Sequence, residues 1–257
     1  LARPFTLCPV VGSYFPKSST EGGLMYYGYG MGYDPMYLLL IVVSTVLGMA
    51  TQGYIKSTYA KWSKVPLDST LTGADVARRM LSDEGVSGVG IEAIGGELTD
   101  NYDPRSNVLH LSRGNMHGGS VASAAVACHE AGHAVQHARG YVPVKIRSAL
   151  VPVVNFTSNA WMVVFFLGIA MGAAGLMRFA IALFAFSVIF QIVTLPVEFD
   201  ASRRAVAYVE RSGLGPQAVR GAKKVLTAAA LTYVAAALVS VLQLLYYLSK
   251  ADRRGDR

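Results

Sequence analysis

The sequence predicts a mainly α-helical integral membrane protein, with about four transmembrane helices and an α+β segment between the first and second spans. Three observations carry that expectation. Apolar residues fill 53% of the 257 positions and charged residues only 15%, against about 25% charged in soluble domains. Four stretches reach or approach the ~17 to 25 apolar residues that a ~30 Å hydrocarbon core requires. The polar residues concentrate instead in one block, 56–148, and in the stretch between the third and fourth runs. So little charge cannot cover the surface of the chain, so a lipid bilayer is its first expected partner. The net charge of +7 sits in residues that flank the apolar runs, as topology determinants do, and no nucleic-acid partner is expected. Cys8 and Cys128 lie far apart and imply no disulfide framework.

Taken in order, residues 1–35 scatter Gly, Tyr, Pro and Ser without period and are expected to form a disordered extension. The first span is MYLLLIVVSTVLGMATQGYI, 36–55. In 56–148, Thr72 followed by Asp75 reads as a capping box opening ADVARRMLSDEG, and Gly85 closes it. VSGVGIEAI and NVLHLS read as a strand pair, separated by Gly95, Gly96 and a YDPRSN turn. A helix over about 119–139 then ends at Gly140. Residues 149–195 are expected to form a hairpin of two spans turning around Arg178, in which Gly168 and Gly172 allow close helix approach. A separate helix, 196–224, starts with Pro196 in its first turn. The alanine-rich run 225–248 forms the fourth span, and 249–257 is a basic tail.

Within the 119–139 helix, HEAGHAVQH holds three of the five histidines. Each helical residue advances about 100°, so His129 and His133 lie about 40° apart and one turn along, presenting two imidazoles to one point. That suits two bonds of ~2.0 to 2.1 Å to one zinc ion. Glu130, beside the same face, can take a proton from a water activated by the metal without being a ligand. The pattern specifies peptide hydrolysis. The alternative, histidines satisfied within a packed helix, requires a partner for each buried imidazole. A third ligand ten positions after His129 is excluded because position 139 is arginine. His137 lies about 12 Å along the helix from His129, too far to share the ion, and is expected beside the ligands or in the substrate cleft. Glu198 can complete the site from another helix, since the hairpin returns it to the same membrane face. Equally, Glu198 and Asp200 could merely favour a helix N-terminus, and Asp200 competes as the ligand or orients an imidazole.

At these residues the sequence resembles the YugP-type membrane zinc metallopeptidases, themselves similar to gluzincins. The resemblance runs from about Asp34 to the C-terminus, through STYAKWSKV, LTGADVARRML, LTDNYDPRSNVLHLS, HEAGHAVQHA, RSALVPVVNF, TLPVEFDASRRA and RGAKKVLTAAALTYVAAALVSVLQLLY. It implies a zincin-like catalytic segment and a bacterial inner-membrane enzyme. Zinc would sit on His129, His133 and Glu198, with Glu130 as base. The expected function is that of a metalloendopeptidase acting on peptides or membrane proteins; the alternatives are an inactive zinc-binding scaffold or a metal transporter.

Lys56, Lys61, Lys64, Arg139, Lys145 and Arg147 flank the segment, which places the site on the cytoplasmic side by the positive-inside bias. Lys250, Arg253, Arg254 and Arg257 run against that bias if the fourth run crosses fully. A substrate is expected to add as a strand along NVLHLS. Tyr102, His110, His117 and Arg203 are candidate donors to the developing oxyanion.

Overall fold

The computed structural model describes residues 34–252. The expected N-terminal extension lies almost wholly outside the described residues, as does the end of the basic tail from 253 onward. Helix α1 (Pro35–Trp62) is capped by Asp34, whose side chain accepts from the Met36 N–H at 2.9 Å. Its 28 residues span about 42 Å, so it leaves the membrane and continues into the polar segment, where Tyr59 joins the core. Helix α2 (Gly73–Asp83) carries both halves of the expected capping box between Thr72 and Asp75. Gly85, at φ +67°, follows its end.

Strands β1 (Gly90–Ile94), β2 (Asn101–Asp103) and β3 (Val108–Ser112) come next, then the short helix α3 (Arg113–His117) and α4 (Val121–Ala138). The sheet order is β1-β3-β2, with β1 parallel and β2 antiparallel to β3. This corrects two expectations. A third strand lies where only a turn was expected, because the three residues of β2 sit inside a run of turn-forming Asn, Asp and Pro. More consequentially, β3 is the central strand with a partner on each side, so no peptide can add to NVLHLS. Strand β2 is an edge strand that also contacts α4.

The core between α2, β3 and α4 contains Val76, Met80, Leu109 and Leu111. Helix α4 is buried on nearly every side, and its alanines let neighbouring helices approach closely all round. At Gly132, an added Cβ would lie 2.9 Å from the Ala201 carbonyl oxygen of the helix opposite. Gly132→Ala is therefore expected to push the two backbones apart and lower stability by about 1–3 kcal/mol, read as a reduced Tm in detergent.

Three long helices complete the chain: α5 (Val142–Ala170), α6 (Ala174–Arg211) and α7 (Gly215–Asp252). The α5–α6 turn falls at 171–173, with Gly172 at φ +62°, and Arg178 lies inside α6 rather than at the turn. Gly168 supplies the close approach expected of it, since its Cβ would fall 2.8 Å from Met177. Pro196 lies inside α6 rather than starting a new helix. The true break comes at 212–214, with Gly213 at φ +72°, so α7 contains both the end of the expected 196–224 helix and the whole fourth span. Four helices, α1, α5, α6 and α7, are long and apolar enough to cross a membrane, and the protein is a mainly α membrane protein. Met36, Leu39, Phe156, Val163 and Phe179 stand exposed along these helices, where lipid would cover them.

The bundle closes at the end remote from α4. Trp161, Phe165, Phe184, Tyr246 and Tyr247 pack together there. Asp34 accepts from the Tyr246 hydroxyl at 3.1 Å and pairs with Lys250. The start of α1 and the end of α7 therefore share one end of the bundle, and one tail lysine has a carboxylate partner.

Candidate metal centre

Helix α4 presents His129 and His133 toward α6, which packs across it. The two Nε2 atoms are 3.2 Å apart. Glu198 Oε2, from α6, lies 3.3 Å from His129 Nε2 and 3.7 Å from His133 Nε2. Tetrahedral bonds of zinc-like length separate neighbouring donors by roughly 3.3 Å, so these three atoms stand where one ion would hold them. Among the described residues they form the cluster able to hold a metal.

The surroundings set the direction of each donor. His133 Nδ1 meets Gln136 Oε1 at 3.0 Å. An amide oxygen only accepts, so Nδ1 carries a proton and Nε2 is the nitrogen that faces the cluster. Gln136 is fully buried and fixed in turn, its Nε2 donating to the Val197 carbonyl at 2.8 Å and to Asp200 Oδ2 at 3.0 Å. Ser202 Oγ lies 3.2 Å from His129 Nδ1. Glu198 itself is 2% exposed and sits in the middle of α6, so a helix N-terminus does not explain it. Its second oxygen, Oε1, is 3.4 Å from Arg147 Nη1 of α5, and Tyr233 of α7 is hydrogen-bonded to the same carboxylate.

Glu130 is 4% exposed and stands outside the three-donor cluster. It stands beside the backbone N–H of Tyr102 on β2, and burial pushes its carboxyl up to about 7 against the opposing influence of His129. Behind it Asp100, also raised by burial, accepts from the Ser112 N–H at 2.7 Å and from Asn115 Nδ2 at 2.9 Å. Asn115 Oδ1 accepts from the Tyr59 hydroxyl at 2.7 Å, so the chain of bonds ends on α1.

The remaining candidates fall elsewhere. Asp200 accepts from Gln136, Arg203 and Arg204, so it acts on His133 through Gln136 rather than on an imidazole directly. The Arg203 side chain is largely exposed beside Asp200. Exposed His137 meets the Tyr102 hydroxyl through Nδ1 at 3.2 Å, while that hydroxyl donates to Asn107 Oδ1. His110 lies on β3 opposite Asn101, and His117 ends α3. A groove of about 550 Å³ between α6 and α7 includes Ser202 but none of the three donors. Sequence reasoning missed Gln136 and Ser202 as partners, although their spacings of three from His133 and four from Glu198 place them on the same helix faces. It also missed the roles of Arg147, Tyr233 and Asp100, for which no local signal exists.

A centre of two histidines one turn apart and a carboxylate from a second helix is the kind that zinc metallopeptidases use, here shared between α4 and α6, one of the helices long and apolar enough to cross a membrane. The chain belongs to the family described as "Putative neutral zinc metallopeptidase", whose profile matches residues 37–252. It is 42% identical over 214 residues to the "Putative membrane protease YugP" of Bacillus subtilis (strain 168), a match covering 83% of this chain and 95% of the relative. No solved structure matches it.

Proposed function

We propose that this protein is a membrane-embedded zinc-dependent metalloendopeptidase, with His129, His133 and Glu198 as metal ligands and Glu130 as general base. The observation that carries this reading is the convergence of Glu198 Oε2 from α6 on the two Nε2 atoms of α4. Zinc, when bound there, supplies a Lewis acid that polarises the scissile carbonyl and acidifies water toward neutral pH. The chain's own residues do the rest. Glu130 takes the proton of the attacking water and returns it to the leaving amine. Gln136 and Ser202 hold the two imidazoles in register, and Asp200 holds Gln136. With β3 closed on both sides, the extended substrate pairs with the free edge of β2, the edge strand beside Glu130.

The substrate is a peptide or a membrane protein. The enzyme resides in the bacterial inner membrane with its site on the cytoplasmic side, a placement supported by Lys56, Lys61, Lys64, Lys145 and Arg147 around the catalytic end. A transporter would need ionisable ligands along its spans, whereas these donors gather where α6 meets α4. The test uses the full chain in detergent with casein or a membrane protein as substrate. One zinc per chain is expected, with cleavage lost on chelation and restored by zinc. Stoichiometric zinc without any cleavage would favour the inactive scaffold and overturn the peptidase.

A further inference from the structure

Glu198 has two carboxylate oxygens and only one of them faces the imidazoles. Oε2 lies 3.3 and 3.7 Å from the two Nε2 atoms, while Oε1 is turned to Arg147 Nη1 at 3.4 Å. Tyr233 adds a hydrogen bond to the same group. Neither partner belongs to the helices that carry the donors: Arg147 is near the start of α5 and Tyr233 is in the middle of α7. Glutamate has three side-chain torsions, so a carboxylate held at one oxygen alone could swing its second oxygen toward the metal. That would fill the position an open catalytic site must keep free.

We propose that Arg147 and Tyr233 are positioning residues that hold Glu198 so that it presents a single oxygen, leaving the fourth metal position open. Two membrane helices outside the donor pair thereby set the coordination of the site. Arg147 also places a positive charge beside a buried carboxylate. The proposal rests on the reading of Glu198 as a zinc ligand.

Full-length protein in detergent is stripped of metal, and zinc affinity is measured by chelator competition for wild type, Arg147→Met, Tyr233→Phe and Glu198→Ala. Removing the hydrogen-bond partners of a ligand typically weakens metal binding about 10–100-fold, and each of the first two variants should fall in that range. Cobalt substitution gives a second readout. Wild type should show the intense visible absorption of four-coordinate cobalt, and Arg147→Met the weaker absorption of a five-coordinate ion held by both oxygens. Arg147→Lys, which can still make one N–H···O contact, should recover most of the affinity and the wild-type spectrum. A merely structural role would lower Tm in the variants with zinc affinity and cobalt spectrum unchanged, and that result overturns the proposal. If Glu198→Ala loses zinc while Arg147→Met and Tyr233→Phe do not, the positioning role fails and the ligand assignment stands. Zinc retained by Glu198→Ala overturns both.

Discussion

Glu130→Gln is expected to lower kcat by about 10²–10⁴-fold, the usual contribution of a positioned general base, while one zinc stays bound per chain. The substitution keeps the shape of the side chain and removes its capacity to take a proton. The amide oxygen remains beside the Tyr102 N–H, so β2 should stay against α4. His129, His133 and Glu198 keep their mutual distances because Glu130 is not among the metal-holding donors. Peptide cleavage and zinc content measured on one preparation separate the two effects. Equal cleavage by variant and wild type would remove Glu130 from the chemistry.

Glu198→Ala is expected to weaken zinc binding by about 10²–10³-fold, since structural zinc binding of about 10–16 kcal/mol shared over four ligands gives each roughly 3 kcal/mol. No neighbour is placed to substitute. Asp200 is two residues on, about 200° around the helix, and its oxygens are held by Gln136, Arg203 and Arg204. His137 is bonded to Tyr102 at the exposed end of α4. The variant also leaves Arg147 without its carboxylate, so a lower Tm should accompany the loss of metal. Zinc content unchanged after dialysis against a weak chelator would refute the ligand role.

What the sequence made legible was local. The capping box of α2, the HExxH face of α4 and the four apolar runs each depend on residues within a turn or two of one another, and each appears in the fold. Helix joints were harder. Pro196 reads as a helix start because proline suits a first turn, yet a long helix packed among others tolerates it in the interior. Arg178 reads as a hairpin turn because it interrupts an apolar run, whereas the chain turns at Gly172, where a positive φ is needed. Strand β2 is three residues long and gives no period to detect, so NVLHLS looks like an edge strand in the sequence when it is the central one. Glu198 was visible as a candidate but not its distance to His129, which α4 and α6 set only by packing. Arg147 and Tyr233 were invisible as partners because their contacts with Glu198 cross between helices remote in sequence.

The ion pair of Asp34 with Lys250, beside the Tyr246 hydroxyl, has a practical corollary for anyone mapping orientation. Were all four candidate spans to cross, the polypeptide would return to the leaflet from which it set out, and residues 34 and 252, joined at one end of the bundle, would emerge together across the bilayer from the histidines. A fluorescent or enzymatic reporter fused beyond either position would then monitor the compartment opposite the one that the proposed peptidase site faces.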